Sequence, residues 1–397
     1  MIPTAAASQA IPVARPSIGA EELEAVRRPL STGWLTQGPE VAAFEREFAT
    51  FVDAPYACAV SNCTTALHLA LRAAGVGPGD EVITVSHSFI ATANAIRYCG
   101  GVPVFVDVNP ATYNIDPSKI AAVMTARTRA ILVVHQLGMP CDLATIIEIA
   151  RRHHVPVIED AACAAGSEIE FRGRWERIGR PHGDVACFSF HPRKVLTTGD
   201  GGMLTTANAE WDRQFRLWRQ HAMSVNDQTR HASRQVVAEQ YTELGFNYRL
   251  TDLQAAIGRV QLTRLPATVA RRREIAARYH ARLRGIPGLH LPFEPTWARS
   301  NWQSYCVRLP QGVDQSRVMQ SMLDEGISTR RGVMCAHLEP AYAREPWRVQ
   351  NAAALAVSEQ ISADGLVLPL YVDMTDEEEM RVVASLERAI ARESQSS

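Results

Sequence analysis

Four short stretches of this chain hold side chains whose types and spacing could do chemistry. The first, SFHPRKVLTTGDGGM, runs from Ser189 to Met203 and sets Lys194 ahead of two threonines and three glycines. A lysine in a glycine-rich turn is ordinarily a solvated charge beside a bend where only glycine fits. Here the turn lies between VACFSF (185–190) and GGMLTT (201–206), two apolar runs that read as buried strands, so the amine is placed rather than incidental. A lysine near apolar walls and cationic neighbours has its amine pKa lowered, and the neutral amine forms a Schiff base with an aldehyde. The second stretch, VIEDAACAAGS, ends an apolar strand on Glu159 and Asp160. At least one of these carboxylates is desolvated and needs a cationic partner; a protonated pyridine nitrogen would serve, and so would an N-cap or a structural salt bridge.

The third stretch, VSNCTTALHLAL, leads a strand through Ser61–Thr65 into a helix. The unpaired N–H groups and partial positive charge of a helix N-terminus suit a phosphate, although Ser61 or Asn62 would equally make a plain N-cap. In the fourth, SHSFIATANAI, Phe89 just after a strand could cover a flat ring or pack in the core. A phosphate cradle, a ring platform, a pyridinium partner and a Schiff-base lysine are the parts needed to hold pyridoxal phosphate, and jointly they are far more specific than singly.

These stretches need a scaffold, and the chain supplies a rhythm for one. From residue 56 to 206 short apolar runs alternate with helical patterns, as in a layered α/β domain. Seven strands are expected, at 56–60, 81–86, 102–108, 130–138, 155–161, 185–190 and 201–206. Helices are expected at 64–75, 89–100, 116–126 and 142–154. The crossovers imply a largely parallel sheet buried on both faces. Beyond 206 come long arginine-rich helical stretches, one of them expected to break near Pro266, and then shorter strands and helices of a smaller α+β domain after about residue 285.

Composition narrows the function. The 397 residues are 46% hydrophobic and 21% charged, and a net charge of -1 gives no broad attraction for nucleic acid or an anionic membrane. Eight cysteines without a C-x-x-C pair indicate neither a disulfide framework nor a zinc site. The N-terminal stretch has no basic n-region or apolar h-region, and no run of about 18 apolar residues could span a membrane, which points to a cytoplasmic protein acting on a small molecule.

With GWLTQGPEVAAFE (Gly33 to Glu45), LGFNYRLTDLQAAIGRVQL (Leu244 to Leu262) and LPLY (Leu368 to Tyr371) added, the chain resembles, nearly end to end, the DegT/DnrJ/EryC1/StrS family of sugar aminotransferases. The resemblance implies a fold type I pyridoxal-phosphate-dependent transferase. Its large domain (1–265, with an N-terminal arm) would hold the seven-stranded mostly parallel sheet in three layers, and 266–397 would form the smaller domain. It implies that Lys194 is the Schiff-base lysine, Asp160 the pyridinium partner and Phe89 the stacking ring. Cys63, Thr64 and Ser189 would surround the phosphate, with Asn247 reaching in from the neighbouring subunit of a homodimer. Cys163 would lie by the ring oxygen, where many members have glutamine; Cys63 stands where many have glycine, and Asp200 replaces a glutamate. Trp34, Thr36, Arg249, His337 and Tyr342 fall in segments lining the family's substrate side, and His337 fits a hinge or packing role as well. The implied activity moves an amino group from glutamate to a keto group of a nucleotide-linked deoxysugar. A keto-cyclitol acceptor is the alternative. A dehydratase of the same family would have histidine in place of Lys194, and a regulatory protein using the fold for binding alone would not need the full catalytic set.

Overall fold

The structure, a computed structural model, describes residues 10–225, 230, 233–351 and 354–394; residues 1–9 of the N-terminal stretch lie outside it. Helices α1 (Ala20–Thr32) and α2 (Pro39–Val52) come first. The apolar runs then become strands β1 (Tyr56–Val60), β2 (Glu81–Val85), β3 (Val102–Val106), β4 (Thr128–Val134) and β5 (Val157–Asp160). After a hairpin of β6 (Glu168–Phe171) and β7 (Arg174–Arg177), β8 (Val185–Ser189) and β9 (Gly202–Thr206) complete the set. The sheet has the order β1-β9-β8-β5-β4-β2-β3, and β9 alone runs against its neighbours.

Side chains alternate across a strand, so each strand feeds two cores. Ala57, Ala59, Ile131 and Val133 face one side, where Phe44 and Phe48 of α2 and Ile146 of α5 (Leu143–His153) cover them. Cys58, Val60, Ala130 and Leu132 face the other, beneath Leu67 of α3 (Cys63–Ala73), Ile96 of α4 (Ala91–Tyr98) and Phe215 of α6 (Ala209–Trp218). Three layers follow from a two-residue period with apolar residues at both phases.

Helix α7 (Asp252–Leu283) leaves this body and enters the next. Its Leu262, Leu265 and Val269 pack on the first core, while Ile275, Tyr279 and Leu283 join a second core. That second core is built on strands β11 (Tyr305–Arg308), β12 (Arg330–Arg331) and β13 (Gly365–Leu368), which follow the two-residue β10 (Ala298–Arg299). Helices α8 (Gln315–Asp324) and α9 (Asp376–Ser394) cover it.

Two expectations are corrected. The helix does not break at Pro266: that residue is exposed inside one continuous helix, whose buried residues on both sides hold it together. The helix expected at 116–126 is two 3₁₀ turns, Pro117–Lys119 and Ala121–Val123, which already bury Ile120 and Val123 before the chain turns extended at Met124.

Candidate active site

The loops leaving the carboxyl ends of β1, β2, β5 and β8 converge on a cavity of about 650 Å³, the place where open α/β sheets put ligands. Cys63, Thr64, Phe89, Asp160, Cys163, Ser189 and Lys194 line it, so the sheet brings together seven residues spread over more than a hundred positions.

At the β1–α3 turn, Asn62 is the N-cap, its Oδ1 accepting the Thr65 N–H at 2.9 Å. The cap satisfies the third amide of the helix and leaves those of Cys63 and Thr64 without an acceptor among the described residues. Gly202 of β9 makes this turn possible, since a Cβ there would sit 2.5 Å from the Asn62 carbonyl carbon. The Cys63 sulfur points inward, toward the Cys187 carbonyl at 3.5 Å and Asp160 Oδ1 at 4.0 Å. What Cys63 offers the cavity is therefore its amide, a donor any residue type supplies. Cavity, open helix N-terminus and neighbouring Ser189 match the requirements of a phosphate.

The two carboxylates ending β5 part company because successive residues of a strand face opposite sides. Glu159 is tied down by His135 Nε2 at 3.0 Å and the Gly183 N–H at 2.9 Å. His135 Nδ1 accepts the Cys141 N–H, so its proton is on Nε2 and is donated to Glu159. Asp160, only 5% exposed, is the one at the cavity. Its Oδ2 accepts from Thr92 Oγ1 at 2.8 Å and its Oδ1 from the Ala162 N–H at 3.1 Å, and no ion pair reaches it among the described residues. Burial pushes its carboxyl above the usual range; Thr92, Ala162 and the Lys194 charge pull the other way without cancelling it. A desolvated carboxylate lacking a cation fits a pyridinium N–H.

Lys194 follows β8 and is half-buried, its Nζ 3.1 Å from Cys163 Sγ. Burial lowers its ammonium pKa, but Cys163, Cys63 and Asp160 outweigh this and hold it above the usual value, so the lowering expected from apolar walls is reversed. Phe89 is 64% exposed at the cavity rather than in a core, leaving its ring face open to a ligand.

The remaining sequence candidates do not line this cavity. Trp34 and Thr36 lie in the α1–α2 turn, held by Trp34 Nε1 on the Gln37 carbonyl and by the Asp252 N–H on that of Thr36. Asn247 is exposed and Arg249 half-buried, beside Tyr248, whose carbonyl accepts the Ser61 N–H at 2.8 Å next to the α3 turn. His337 bridges Ser86 Oγ at 2.6 Å and Glu359 at 3.2 Å, against Phe105 and Trp347. Tyr342 is buried, its hydroxyl donating to Asn94 at 3.0 Å.

The structure adds residues that motif reading passed over. Thr92 orients Asp160 through a chain that includes Ser88 Oγ at 2.8 Å, and its signal was its place one helical turn after Phe89. Gln303 grips both sides of Lys194: its Nε2 donates to the Arg193 carbonyl at 2.6 Å and its Oε1 accepts the Val195 N–H at 3.0 Å. Asn301 holds the Cys163 carbonyl at 2.8 Å. Nothing local marks these two, because their partners lie over a hundred residues away. Composition held a plainer signal: the chain has two lysines, Lys119 and Lys194, among 41 basic residues, and Lys119 pairs with Asp107 at 3.6 Å.

Known proteins show the same scaffold. The model of the DegT/DnrJ/EryC1/StrS aminotransferase family matches residues 16–387. Spore coat polysaccharide biosynthesis protein SpsC of Bacillus subtilis is 39% identical over 372 residues, 93% of this chain and 94% of that protein. GDP-perosamine synthase of Caulobacter vibrioides is 38% identical over 384 residues, 96% and 98% of the two chains. The crystal structure of the aminotransferase TlmJ from Streptoalloteichus hindustanus superposes with a TM-score of 0.86 at 36% identity, covering 96% of this chain and 99% of that one. The chain therefore belongs to the DegT/DnrJ/EryC1/StrS aminotransferase family and is a pyridoxal-phosphate-dependent aminotransferase.

Proposed function

We propose that the enzyme transfers an amino group from glutamate to a keto group of a nucleotide-linked deoxysugar, in amino-sugar biosynthesis. The observation that carries this is the meeting of Lys194 and the desolvated Asp160 in one cavity beside an uncapped pair of helix amides. Relatives named for polysaccharide biosynthesis and for GDP-perosamine synthesis support a sugar as acceptor. Bound pyridoxal phosphate supplies an aldehyde that takes up the donor nitrogen and a ring that accepts the electron pair left at carbon.

The protein's part is to bind and to move protons. The amides of Cys63 and Thr64, with Ser189, would hold the phosphate; Phe89 would cover one ring face, and Cys163 would face the ring oxygen. Asp160 keeps a proton on the ring nitrogen, and Thr92 fixes the carboxylate that does so. Lys194 Nζ would hold the cofactor's aldehyde and, when free, would take the proton from the substrate carbon and return it one atom away. Gln303 holds its backbone while the side chain swings.

Asn247 completes the phosphate site of a second copy, in a cytoplasmic homodimer with shared sites; its exposure beside the α3 turn supports this. Trp34, Thr36, Arg249, His337 and Tyr342 belong to segments on the sugar side, the last two as supports of its wall. Residues 1–265 form the large domain and 266–397 the small one, a division supported by the two cores that α7 joins.

Borohydride reduction of the cofactor-loaded enzyme, followed by peptide mapping, tests the assignment. The label is expected on the peptide containing Lys194; its appearance on Lys119, the other lysine, would overturn it.

A further inference from the structure

We propose that Cys163 and Lys194 form a hydroperoxide-sensitive pair: in the cofactor-free enzyme, oxidation joins Cys163 Sγ to Lys194 Nζ through a sulfenamide bond that masks the amine until a thiol releases it.

Three observations set this pair apart. All eight cysteines are free thiols, and six of them are buried. The sulfurs of Cys63, Cys141 and Cys335 spend their contacts on backbone carbonyls at 3.5, 3.0 and 3.3 Å. Cys163 is half-buried on the cavity wall, and its sulfur meets an amine at 3.1 Å. The two loops that carry the pair are also fixed to one short segment. Asn301 holds the Cys163 carbonyl, while Gln303 holds the backbone on both sides of Lys194. These bonds fix the two backbones relative to each other, and the long lysine side chain can close the remaining gap between Nζ and Sγ.

The chemistry balances in two steps. The Cys163 sulfur attacks the outer oxygen of the hydroperoxide; an S–O bond forms and the O–O bond breaks. Sulfur is oxidised by two electrons to the sulfenic acid, the hydroperoxide is reduced, and the thiol proton leaves with the departing alcohol or water. Lys194 Nζ, once its ammonium has released a proton to solvent, attacks that sulfur; an N–S bond forms, the S–O bond breaks, and hydroxide departs as water with one amine proton. In sum, thiol, amine and hydroperoxide give sulfenamide, alcohol (or water) and water, with no further oxidant. A sulfenic acid is known to condense with a nearby nitrogen in this way, which spares it from irreversible oxidation. A thiol reductant reverses the bond by attack at sulfur.

The protective consequence rests on the reading that Lys194 carries the cofactor; formation of the bond does not. The test uses the full-length protein, with and without pyridoxal phosphate, treated with hydrogen peroxide and then with dithiothreitol. In the cofactor-free protein we expect an intact mass lower by two hydrogens, a crosslinked peptide joining Cys163 to Lys194, and loss of tryptic cleavage after Lys194. Dithiothreitol should restore mass, cleavage and cofactor binding. Cys163→Ser should keep cleavage after Lys194 under peroxide. Lys194→Arg should leave a sulfenic acid on Cys163 that dimedone traps. A disulfide accounting for the mass loss, or Cys163 going to sulfinic acid with Lys194 still cleaved, would overturn the pair. A crosslink forming equally fast in the loaded enzyme would sustain the pair and count against Lys194 as the cofactor-carrying residue.

Discussion

Asp160 is a carboxylate held where its charge is disfavoured. Burial raises its pKa above the ordinary carboxylate value in the folded, cofactor-free chain. The native state therefore binds this proton more tightly than the unfolded state, so the contribution is present at low pH and is lost as pH rises through the folded pKa. Asparagine in its place carries no charge to desolvate; its one oxygen can take the Ala162 N–H while its NH2 donates to Thr92 Oγ1, whose own proton turns to Ser88 Oγ. At neutral pH we expect cofactor-free Asp160→Asn to melt higher than the wild type. Its transamination should fall about a thousandfold, since an amide cannot keep the ring nitrogen protonated and several kcal/mol of transition-state stabilisation go with that charge. Calorimetry of the cofactor-free proteins and turnover of the loaded ones check both halves. A lower melting point with near-normal turnover would make Asp160 a structural acid.

Among the elements, α7 runs against its own sequence. Proline inside a helix removes one backbone hydrogen bond and crowds the preceding turn, at about 3 kcal/mol. The helix nevertheless passes through Pro266, because Leu262, Leu265 and Val269 bury on one side of it and Ile275, Tyr279 and Leu283 on the other. Continuity of α7 is a tertiary product. Pro266 is exposed, so replacing it with alanine sacrifices no core packing. Pro266→Ala is expected to stabilise the protein by about 1–3 kcal/mol, seen as a higher urea midpoint at an unchanged slope. A fall in stability would mean that the cores require the bend that proline imposes. Close approach is required elsewhere on the same helix: at Gly258 a Cβ would meet the Phe44 ring at 2.8 Å.

For the whole molecule, the proposed shared site makes a prediction that one chain by itself cannot satisfy. On that proposal Lys194→Ala would not turn over, and Asn247→Asp would set a carboxylate against the cofactor phosphate. Like charges within about 4 Å in a partly buried site repel by several kcal/mol. In a mixed dimer one site receives both lesions and the other receives neither. Co-refolding equal amounts gives mixed dimers in about half the population, so roughly a quarter of wild-type activity should return, by the two-fold symmetry of such an assembly. Differentially tagged subunits would show whether mixed dimers are present. If they are and no activity returns, Asn247 serves its own chain's site or none.

The sequence by itself determined the seven strands and their burial on both faces, since two apolar phases within one run leave no side for water. It also marked the strand-end stretches from which the cavity is built, because turns, caps and charged residues at strand ends are local features. Residue pattern alone left open which of Glu159 and Asp160 faces the ligand, and only the family resemblance named Asp160. In the structure it follows from the register of β5 and from His135, the residue just past the end of the neighbouring strand β4. Local pattern also suggested a lowered amine pKa for Lys194, and the groups that reverse it, Cys163, Cys63 and Asp160, come from two other loops. The grip of Gln303 and Asn301 on the site, and the unbroken α7, were likewise invisible in sequence. A hydrogen bond between residues a hundred positions apart leaves no periodicity, and the burial that overrides a proline exists only once both cores have formed.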